Sequence, residues 1–249
     1  MSEVAVLAWR QFRLERRLFW RNPSAAFFNF LLPLLFLAFF GAIFHNNQHD
    51  LNVIVPGIAG MSVMSTTFTA LAFNLVFLRE QGVLKRIRGT PMPGLSYLLG
   101  IAGNAIMNTA TQIVIITVAG KVLFGTGWPK DYLELIVFVA AGVLCFASLG
   151  VAFSHVIPNF DSAPAYVNAV FLPVVAVSGV FFDETHTPGF LKGIAQALPL
   201  YHLNSGLSGA MVKGTSLGHN IAALGVIAAW SALGIFFAVR GFSWDQRRS

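Results

Sequence analysis

The chain has 249 residues, of which 56% are hydrophobic and only 10% are charged, and its mean hydropathy is +0.70. Soluble globular domains carry about 25% charged residues, so this composition excludes an ordinary soluble domain and indicates a helical membrane protein. The formal net charge is +6. The single cysteine, Cys145, excludes an intrachain disulfide and a metal site built from cysteines.

Residues 1–22 precede the first long apolar run, and residues 3–20 among them have an amphipathic pattern. At 100° per residue, four apolar side chains share one face: Val4, Leu7, Leu14 and Leu18. Four arginines lie opposite them: Arg10, Arg13, Arg16 and Arg17. The pattern predicts a helix in the membrane surface with its arginines toward headgroups and cytosol. The alternative is a basic tail that serves only topology.

Six apolar stretches are long enough to cross a bilayer, which takes about 20 residues of helix. They cover residues 25–44, 53–78, 97–124, 133–156, 166–182 and 220–239. Because lipid offers backbone amides no hydrogen-bond partner, these stretches must be helices. We therefore predict an all-α integral membrane protein with six transmembrane helices, in which residues 1–249 form a single domain.

The lysines and arginines predict the orientation of these helices. Five precede the first span, four lie between the second and third, and three follow the sixth, which is twelve of the sixteen in the chain. Basic residues concentrate on the cytoplasmic side, so we expect both termini in the cytoplasm and the protein in the inner membrane of a bacterial cell. No signal-peptide cleavage pattern follows Phe44, so the first span is expected to remain as an anchor.

Residues 183–219, on the predicted outer side, contain two further apolar runs. Residues 191–198 have helical spacing, Pro199 ends that run, and residues 203–212 start another. Each run is too short to cross a bilayer. We predict a re-entrant hairpin of two short helices in the outer leaflet.

The predicted spans contain no Asp, Glu, Lys or Arg away from their ends. Proton-coupled transporters usually need such groups inside the membrane, and the chain has no G-x-x-x-x-G-K-[ST] motif for nucleotide binding. An energy source is therefore expected on a separate polypeptide. Catalytic motifs such as G-x-S-x-G and H-E-x-x-H are also absent, so we expect no catalytic residues. His45, His49 and Asp50 offer a candidate metal site, but a solvated loop is the more ordinary interpretation and no metal is expected.

Two polar stripes lie inside the spans. The first contains Ser62, Ser65, Thr66 and Thr69, at i, i+3, i+4 and i+7 of the second span. The second contains Asn104, Asn108 and Gln112 of the third span. Such stripes face the interior of a bundle, where they form interhelical hydrogen bonds or line a path. Both interpretations stay open, and the first stripe together with Ser178 is our candidate lining of a substrate path.

The connection between the second and third spans, residues 79–96, is short and basic. Its first half has helix-forming residues, and Pro91 and Pro93 prevent the helix from continuing. A short helix with a cationic and an apolar side, braced by prolines, is suited to receive a push from a docked partner. The alternative is a solvated loop that only obeys the positive-inside rule.

This connection resembles the cytoplasmic coupling segment of ABC-2 type permeases, in particular those of daunorubicin resistance and Nod-factor export. The resemblance is carried by residues 79–100, REQGVLKRIRGTPMPGLSYLLG. Its elements are Glu80, Gly82, the run Leu84-Lys85-Arg86-Ile87-Arg88, Thr90-Pro91, and the entry from Tyr97 to Gly100. Residues 173–201 are similar to the family's segment from span five into its outer helices. Gly94 departs from the pattern, since many members carry a polar or basic residue there.

The resemblance implies a permease subunit that exports an amphipathic substrate: a drug, a lipid or a lipid-linked glycan. It implies a homodimer in membrane lipid with two ATP-binding cassette ATPases, which would bind the ATP and Mg²⁺, so that this chain holds no cofactor itself. The ATPase would dock on eight residues: Glu80, Gly82, Leu84, Lys85, Arg86, Arg88, Thr90 and Pro91. The residues alone leave two other functions open, an integral membrane enzyme that modifies lipid and a passive lipid scramblase. No nucleic-acid partner is expected.

Overall fold

The computed structural model describes residues 3–44, 47–83, 86, 89, 93–180 and 189–241. Within these residues all regular structure is helical. The α-helices in chain order are α1 (Glu3–Arg21), α2 (Pro23–Ile43), α3 (Gln48–Met64), α4 (Ala70–Glu80), α5 (Gly94–Phe124), α6 (Tyr132–Ser154), α7 (Ala163–Val177), α8 (Gly189–Ala197), α9 (Pro199–Ser208) and α10 (Ile221–Gly241). Two π-helical turns join them, Ser65–Thr69 between α3 and α4 and Gly209–Lys213 after α9.

Four helical stretches among the described residues are long and apolar enough to cross a membrane: Gln48–Glu80, Leu99–Phe124, Tyr132–Ser154 and Ile221–Arg240. The first joins α3, the π turn and α4 into one continuous helix. Two shorter apolar stretches, Asn29–Ile43 and Ala163–Val177, lie where spans one and five were predicted. The first of these is part of α2, whose 21 residues (Pro23–Ile43) cover about 31 Å, close to the hydrocarbon thickness of about 30 Å, and the second covers about 22 Å. The all-helical membrane architecture is confirmed, whereas the count of six spans stays a prediction.

The centre of the bundle contains α3, α6 and α9. Helix α9 packs against both of the others and against α10, and Leu200, Leu203 and Leu207 of α9 are fully buried. A Cβ on Gly142 of α6 would lie only 2.9 Å from Leu203 Cδ2, so the small residue permits this approach. The two short helices expected near the outer side are present as α8 and α9. The second begins earlier than expected, at Pro199, because proline is well suited to the first turn of a helix.

Helix α1, where the amphipathic pattern was found, lies along α5. Gln11 is buried against Gly100, where a Cβ would come within 2.5 Å of the Gln11 side chain. Leu14 and Leu18 of the predicted apolar face are 49% and 50% exposed. That face is therefore available to lipid, as an interfacial helix requires.

The described connections collect at two ends of the bundle. The basic end contains the last turn of α4, residues 155–162 between α6 and α7, and the last turn of α10, since Arg79 bonds to this connection and Arg240 lines a cavity with His155. The opposite end contains residues 125–131 and 209–220, where the backbone N–H groups of Lys130 and Asp131 donate to the Ala210 carbonyl at 2.9 and 3.0 Å. Segments predicted to share one side of the membrane thus lie together.

Candidate functional site

Arg79, near the end of α4, fastens the start of the predicted coupling segment to a second connection. Its side chain is only 6% exposed, and Nη1 donates to the Ser154 carbonyl at 3.0 Å while Nη2 donates to the Ile157 carbonyl at 2.5 Å. Ser154 is the last residue of α6, where helix carbonyls lack intrahelical partners and the helix dipole favours a cation. Arg79 therefore holds α4 against the C-terminal end of α6.

Glu80 adds a second tie at the same place. Its Oε2 accepts a hydrogen bond of 2.6 Å from the Phe160 backbone N–H, and the rings of Phe77 and Phe160 lie 5.3 Å apart between centroids. Glu80, which we predicted as an ATPase-coupling residue, thus joins the coupling segment to residues 155–162. The two connections are therefore joined by one hydrogen bond and one aromatic contact.

After Glu80 the chain reverses at Gly82. Gly82 has φ +66°, a left-handed conformation that glycine adopts at little cost, and its N–H bonds to the Arg79 carbonyl at 3.1 Å. Arg86 N–H donates to the Gly82 carbonyl at 3.2 Å, and the Arg86 side chain is exposed. The remaining predicted coupling residues lie outside the described residues: Leu84, Lys85, Arg88, Thr90 and Pro91. Their role stays a prediction. His45, part of the loop where no metal is expected, also lies outside the described residues.

The far end of the coupling segment is attached to α1. Helix α5 begins after Pro93, an extended residue, and Ser96 Oγ donates to the Val4 carbonyl of α1 at 3.2 Å. Ser96 is fully buried. The connection between α4 and α5 is therefore held by α6 and its loop on one side and by α1 on the other.

A polar cavity of about 190 Å³ lies behind α1 at this end of the bundle. Its lining comes from α1, α2, the first π turn, α4 and α5: Glu15, Phe19, Asn29, Thr66, Ala70, Leu71, Asn74, Ile101, Asn104, Ala105 and Asn108. Arg16 Nη1 donates to Asn108 Oδ1 beside it, and the hydroxyls of Thr66 and Thr109 share a hydrogen bond of 2.8 Å. Side chains from five elements thus make one polar site within the bundle.

Two amides of this cavity are incompletely bonded. Asn29 Nδ2 and Asn104 Oδ1 are buried and have no hydrogen-bond partner among the described residues. Burying an unsatisfied polar atom typically costs about 1–3 kcal/mol, so such atoms call for a polar ligand or water. The pair offers one donor and one acceptor.

Burial near the cavity also shifts the pKa of two ionisable groups of α1, Glu15 and Arg16. Desolvation raises the pKa of Glu15, against the opposing effect of a 2.8 Å hydrogen bond from Gln11 Nε2. Burial also lowers the pKa of Arg16. The cavity therefore disfavours an isolated charge, and its amides and hydroxyls suit a neutral or charge-balanced polar group.

Of the five residues predicted to line a substrate path, only Thr66 lines this cavity. Ser62 is fully buried and its Oγ donates to the Ile58 carbonyl at 2.7 Å, while Ser65 and Thr69 are not among the lining residues. Ser178 lies elsewhere, at the end of α7, where its carbonyl accepts from Asn204 Nδ2 at 3.0 Å. The prediction that these residues form a path stays untested.

The predicted stripe runs into the first π turn, Ser65–Thr69. In an α-helix, residues three and four apart share a face, but in this turn Ala70 N–H reaches back five residues to the Ser65 carbonyl. The extra residue rotates the positions that follow. Sequence reasoning also missed Glu15, Asn29 and Asn74, although an asparagine within an apolar run is a visible signal.

The sequence matches a known protein family over most of its length. A family model described as ABC-2 type transporter matches residues 2–212. YvfS of Bacillus subtilis, which bears the name of a transport permease, is 24% identical over 202 residues, or 79% of this chain and 81% of YvfS.

Two further relatives carry permease names. The daunorubicin resistance ABC transporter permease protein DrrB1 of Streptomyces coeruleorubidus is 29% identical over 69% of this chain and 63% of its own length. The ycf38 protein of Pyropia yezoensis, also named as a transport permease, is 27% identical over 75% of this chain and 67% of its own length. With its family model matched over most of its length, this chain belongs to the ABC-2 type transporter family.

Proposed function

We propose that this chain is the transmembrane permease subunit of an exporter driven by ATP-binding cassette ATPases, with the basic end in the cytoplasm of a bacterial cell. Family membership and the permease names of the relatives support the transport role. The name of DrrB1 favours a drug as substrate. We extend the substrate class to amphipathic molecules, namely drugs, lipids and lipid-linked glycans.

The observation that carries this proposal is the attachment of the α4–α5 connection at both ends. Arg79 and Glu80 tie its start to α6 and the loop after α6. Ser96 ties its far side to α1. A force applied between these points reaches two separate parts of the bundle, which is what a coupling element requires.

In the proposed cycle, the ATPase docks on residues 80–91 and closes when it binds ATP with Mg²⁺. The displacement moves α6 through Arg79, and it moves α1 through Ser96. Because Glu15 and Phe19 of α1 line the polar cavity, a shift of α1 changes access to that cavity from the inner membrane surface. The cavity would hold the polar part of the substrate, with Asn29 and Asn104 as hydrogen-bond partners.

Two copies of the chain would form the permease, with the substrate leaving along their interface near spans one, two and five. The chain itself is not an enzyme in this scheme and binds no nucleotide, because the ATP and Mg²⁺ belong to the partner ATPase. The spans contain no Asp, Glu, Lys or Arg away from their ends, which argues against proton coupling within the chain.

The test is purification of the tagged full-length chain from membranes of its own organism, with identification of the proteins that accompany it. We expect an ATP-binding cassette ATPase with ATP hydrolysis activity in the purified complex. A chain carrying both Glu80→Ala and Arg86→Ala should keep its oligomeric state but lose most of the bound ATPase, since the variant removes the Phe160 tie and one exposed cation. Lys213→Ala, an exposed basic residue at the opposite end, is the matched control.

Three outcomes would contradict the proposal. The first is a purified complex without any ATPase, and the second is undiminished ATPase binding by the double variant. The third is labelling of Gln81→Cys only from outside intact cells, which the single buried Cys145 would not obscure. Lipid movement in vesicles without ATP would instead favour a scramblase.

A further inference from the structure

A second cavity, much larger and apolar, opens on another side of the bundle. It has a volume of about 740 Å³ and lies between α6, α7, the α8–α9 junction and α10. Most of its lining residues are large and apolar, and six of them are Phe68, Phe146, Phe153, Val174, Trp230 and Phe237. We call it the apolar groove. No residue of the polar cavity lines it, so the two sites are separate.

The groove has the depth of one membrane leaflet. Trp230 and Arg240 line it from the same helix, ten residues apart, and ten helical residues span about 15 Å. The hydrocarbon core of a bilayer is about 30 Å thick. The groove therefore extends from the basic end to about the middle of the membrane.

Charge is confined to one end of the groove. Among its lining residues only His155 and Arg240 have ionisable side chains, and both belong to the basic end. The Arg240 guanidinium lies 4.3 Å from the centroid of the Phe236 ring, an arrangement that holds the cation at the rim. Arg240 itself is exposed, so its charge remains available to an anion.

The deep end of the groove is apolar in its exposed atoms. The one polar atom of Trp230, Nε1, donates to the Ala197 carbonyl at 2.9 Å, which leaves the indole ring as an apolar wall. Nearer the rim, Phe236 and Phe237 are 46% and 58% exposed. The groove is thus open laterally, toward the position of lipid, and contains an anion-attracting group only at its rim.

We propose that the apolar groove binds one phospholipid of the leaflet at the basic end, with an acyl chain between α7 and α10 and an anionic headgroup at Arg240 and His155. A volume of 740 Å³ is within the range of ligand sites, which run from about 300 to 1,000 Å³. The cation at the rim selects an anionic headgroup, because a guanidinium pairs well with phosphate. This lipid is a bound component of the fold, so the proposal does not depend on the chain being an exporter.

The test uses the purified full-length chain in mild detergent with added palmitoyl-oleoyl phosphatidylglycerol or phosphatidylcholine, and native mass spectrometry to count retained lipids. We expect one phosphatidylglycerol per chain and a preference of about fivefold over phosphatidylcholine, the effect of one basic residue near an anionic headgroup. Arg240→Gln should remove the preference, while Arg17→Gln, an exposed arginine of α1, should not. Val174→Trp should narrow the groove between α7 and α10 and weaken retention of both lipids.

Retention of phosphatidylglycerol unchanged by Val174→Trp would overturn the proposal, as would equal loss of preference in the Arg240 and Arg17 variants. If Val174→Trp leaves lipid binding intact and separates dimers into monomers, the groove is covered by a second copy of the chain and not by lipid. Because Arg240 is exposed, we expect Arg240→Gln to fold. If Val174→Trp fails to fold, Arg240→Gln alone still tests the proposal.

Discussion

The two ends of α6 are both held by a buried charge, but the charges differ in sign and in origin. At the first turn, Glu134 of α6 itself has no exposed surface, and its Oε1 accepts from Asn220 Nδ2 at 2.7 Å while Oε2 accepts from Thr215 Oγ1 at 3.5 Å. At the last turn, the cation is Arg79, supplied by α4. Each sign suits its end, because the helix dipole is positive at the N-terminus and negative at the C-terminus.

In the proposed cycle, this difference gives the two ends different roles. Glu134 accepts hydrogen bonds from neutral side chains of one connection, residues 209–220. It therefore holds that connection against the first turn of α6 and contacts no other connection through these bonds. Arg79 binds backbone carbonyls, including the Ile157 carbonyl outside the helix, and it sits directly before the α4–α5 connection. We infer that the opposite end acts as a fixed base for α6, whereas the basic end links α6 to the element that we propose as the ATPase docking site.

Substitution of Arg79 should have the largest effect. Arg79→Met leaves two carbonyls without their donor, and since hydrogen bonds to charged groups contribute about 1.5–3 kcal/mol each, we expect stability to fall by about 3 kcal/mol or more. Thermal unfolding of the chain in detergent micelles measures this. The stability of Arg79→Lys should lie between those of the wild type and Arg79→Met, because one ammonium group cannot match the paired geometry of the guanidinium. The exposed Arg86→Met is the control, and equal stability of Arg79→Met and Arg86→Met would refute the role of Arg79.

Substitution of Glu134 should have the next largest effect. Glu134→Ala leaves the Asn220 and Thr215 donors buried without an acceptor, which typically costs about 1–3 kcal/mol. Glu134→Gln keeps an acceptor oxygen and should lose less. Hydrogen exchange should show faster exchange of residues 209–220 with no change at residues 155–162.

The Arg79 and Glu134 variants together test whether the two ends are independent. Helix α6 has 23 residues and is about 34 Å long. Effects at sites this far apart should add to within about 0.5 kcal/mol. A larger deviation in the double variant would mean that α6 transmits strain along its length, contrary to a fixed base at the opposite end.

The smallest effect is expected from pH, at Glu15, whose carboxyl group accepts one side-chain hydrogen bond among the described residues, from Gln11, whereas Glu134 accepts two. Desolvation raises the folded-state pKa of Glu15 above its unfolded value, so the folded protein binds the proton more tightly than the unfolded chain. Its contribution to stability is therefore greatest below the unfolded pKa and is lost as pH rises through the folded pKa. From about pH 7 to about pH 5, the melting temperature of the wild-type chain should rise relative to Glu15→Gln. Parallel curves for the two proteins would contradict this.

Much of the fold was predictable from the order of apolar and polar residues. The long apolar runs predicted helices because lipid leaves backbone amides no other partner, and the run broken at Pro199 predicted two short helices. The arginine pattern of residues 3–20 predicted α1. The ABC-2 resemblance rested on local residues, chiefly 79–100, and the family match confirms it.

The polar cavity was not predictable in the same way. Glu15, Asn29, Asn74 and Asn104 come from four helices and have no common spacing in the sequence. The stripe beginning at Ser62 had a regular spacing, which did not predict the π turn over Ser65–Thr69. Propensity does not place a π turn, because the turn depends on how neighbouring helices pack.

The sequence by itself determined that this chain is a helical membrane protein, where its apolar helices lie, and which family its coupling segment resembles. These properties follow from the transfer of apolar side chains and satisfied backbone into lipid, which depends only on local composition. Only the tertiary structure decided that Arg79 caps α6, that α1 covers a polar cavity, and that a separate groove ends at Arg240. Such sites depend on distances between helices, and a distance between helices is a property of packing that no single segment contains.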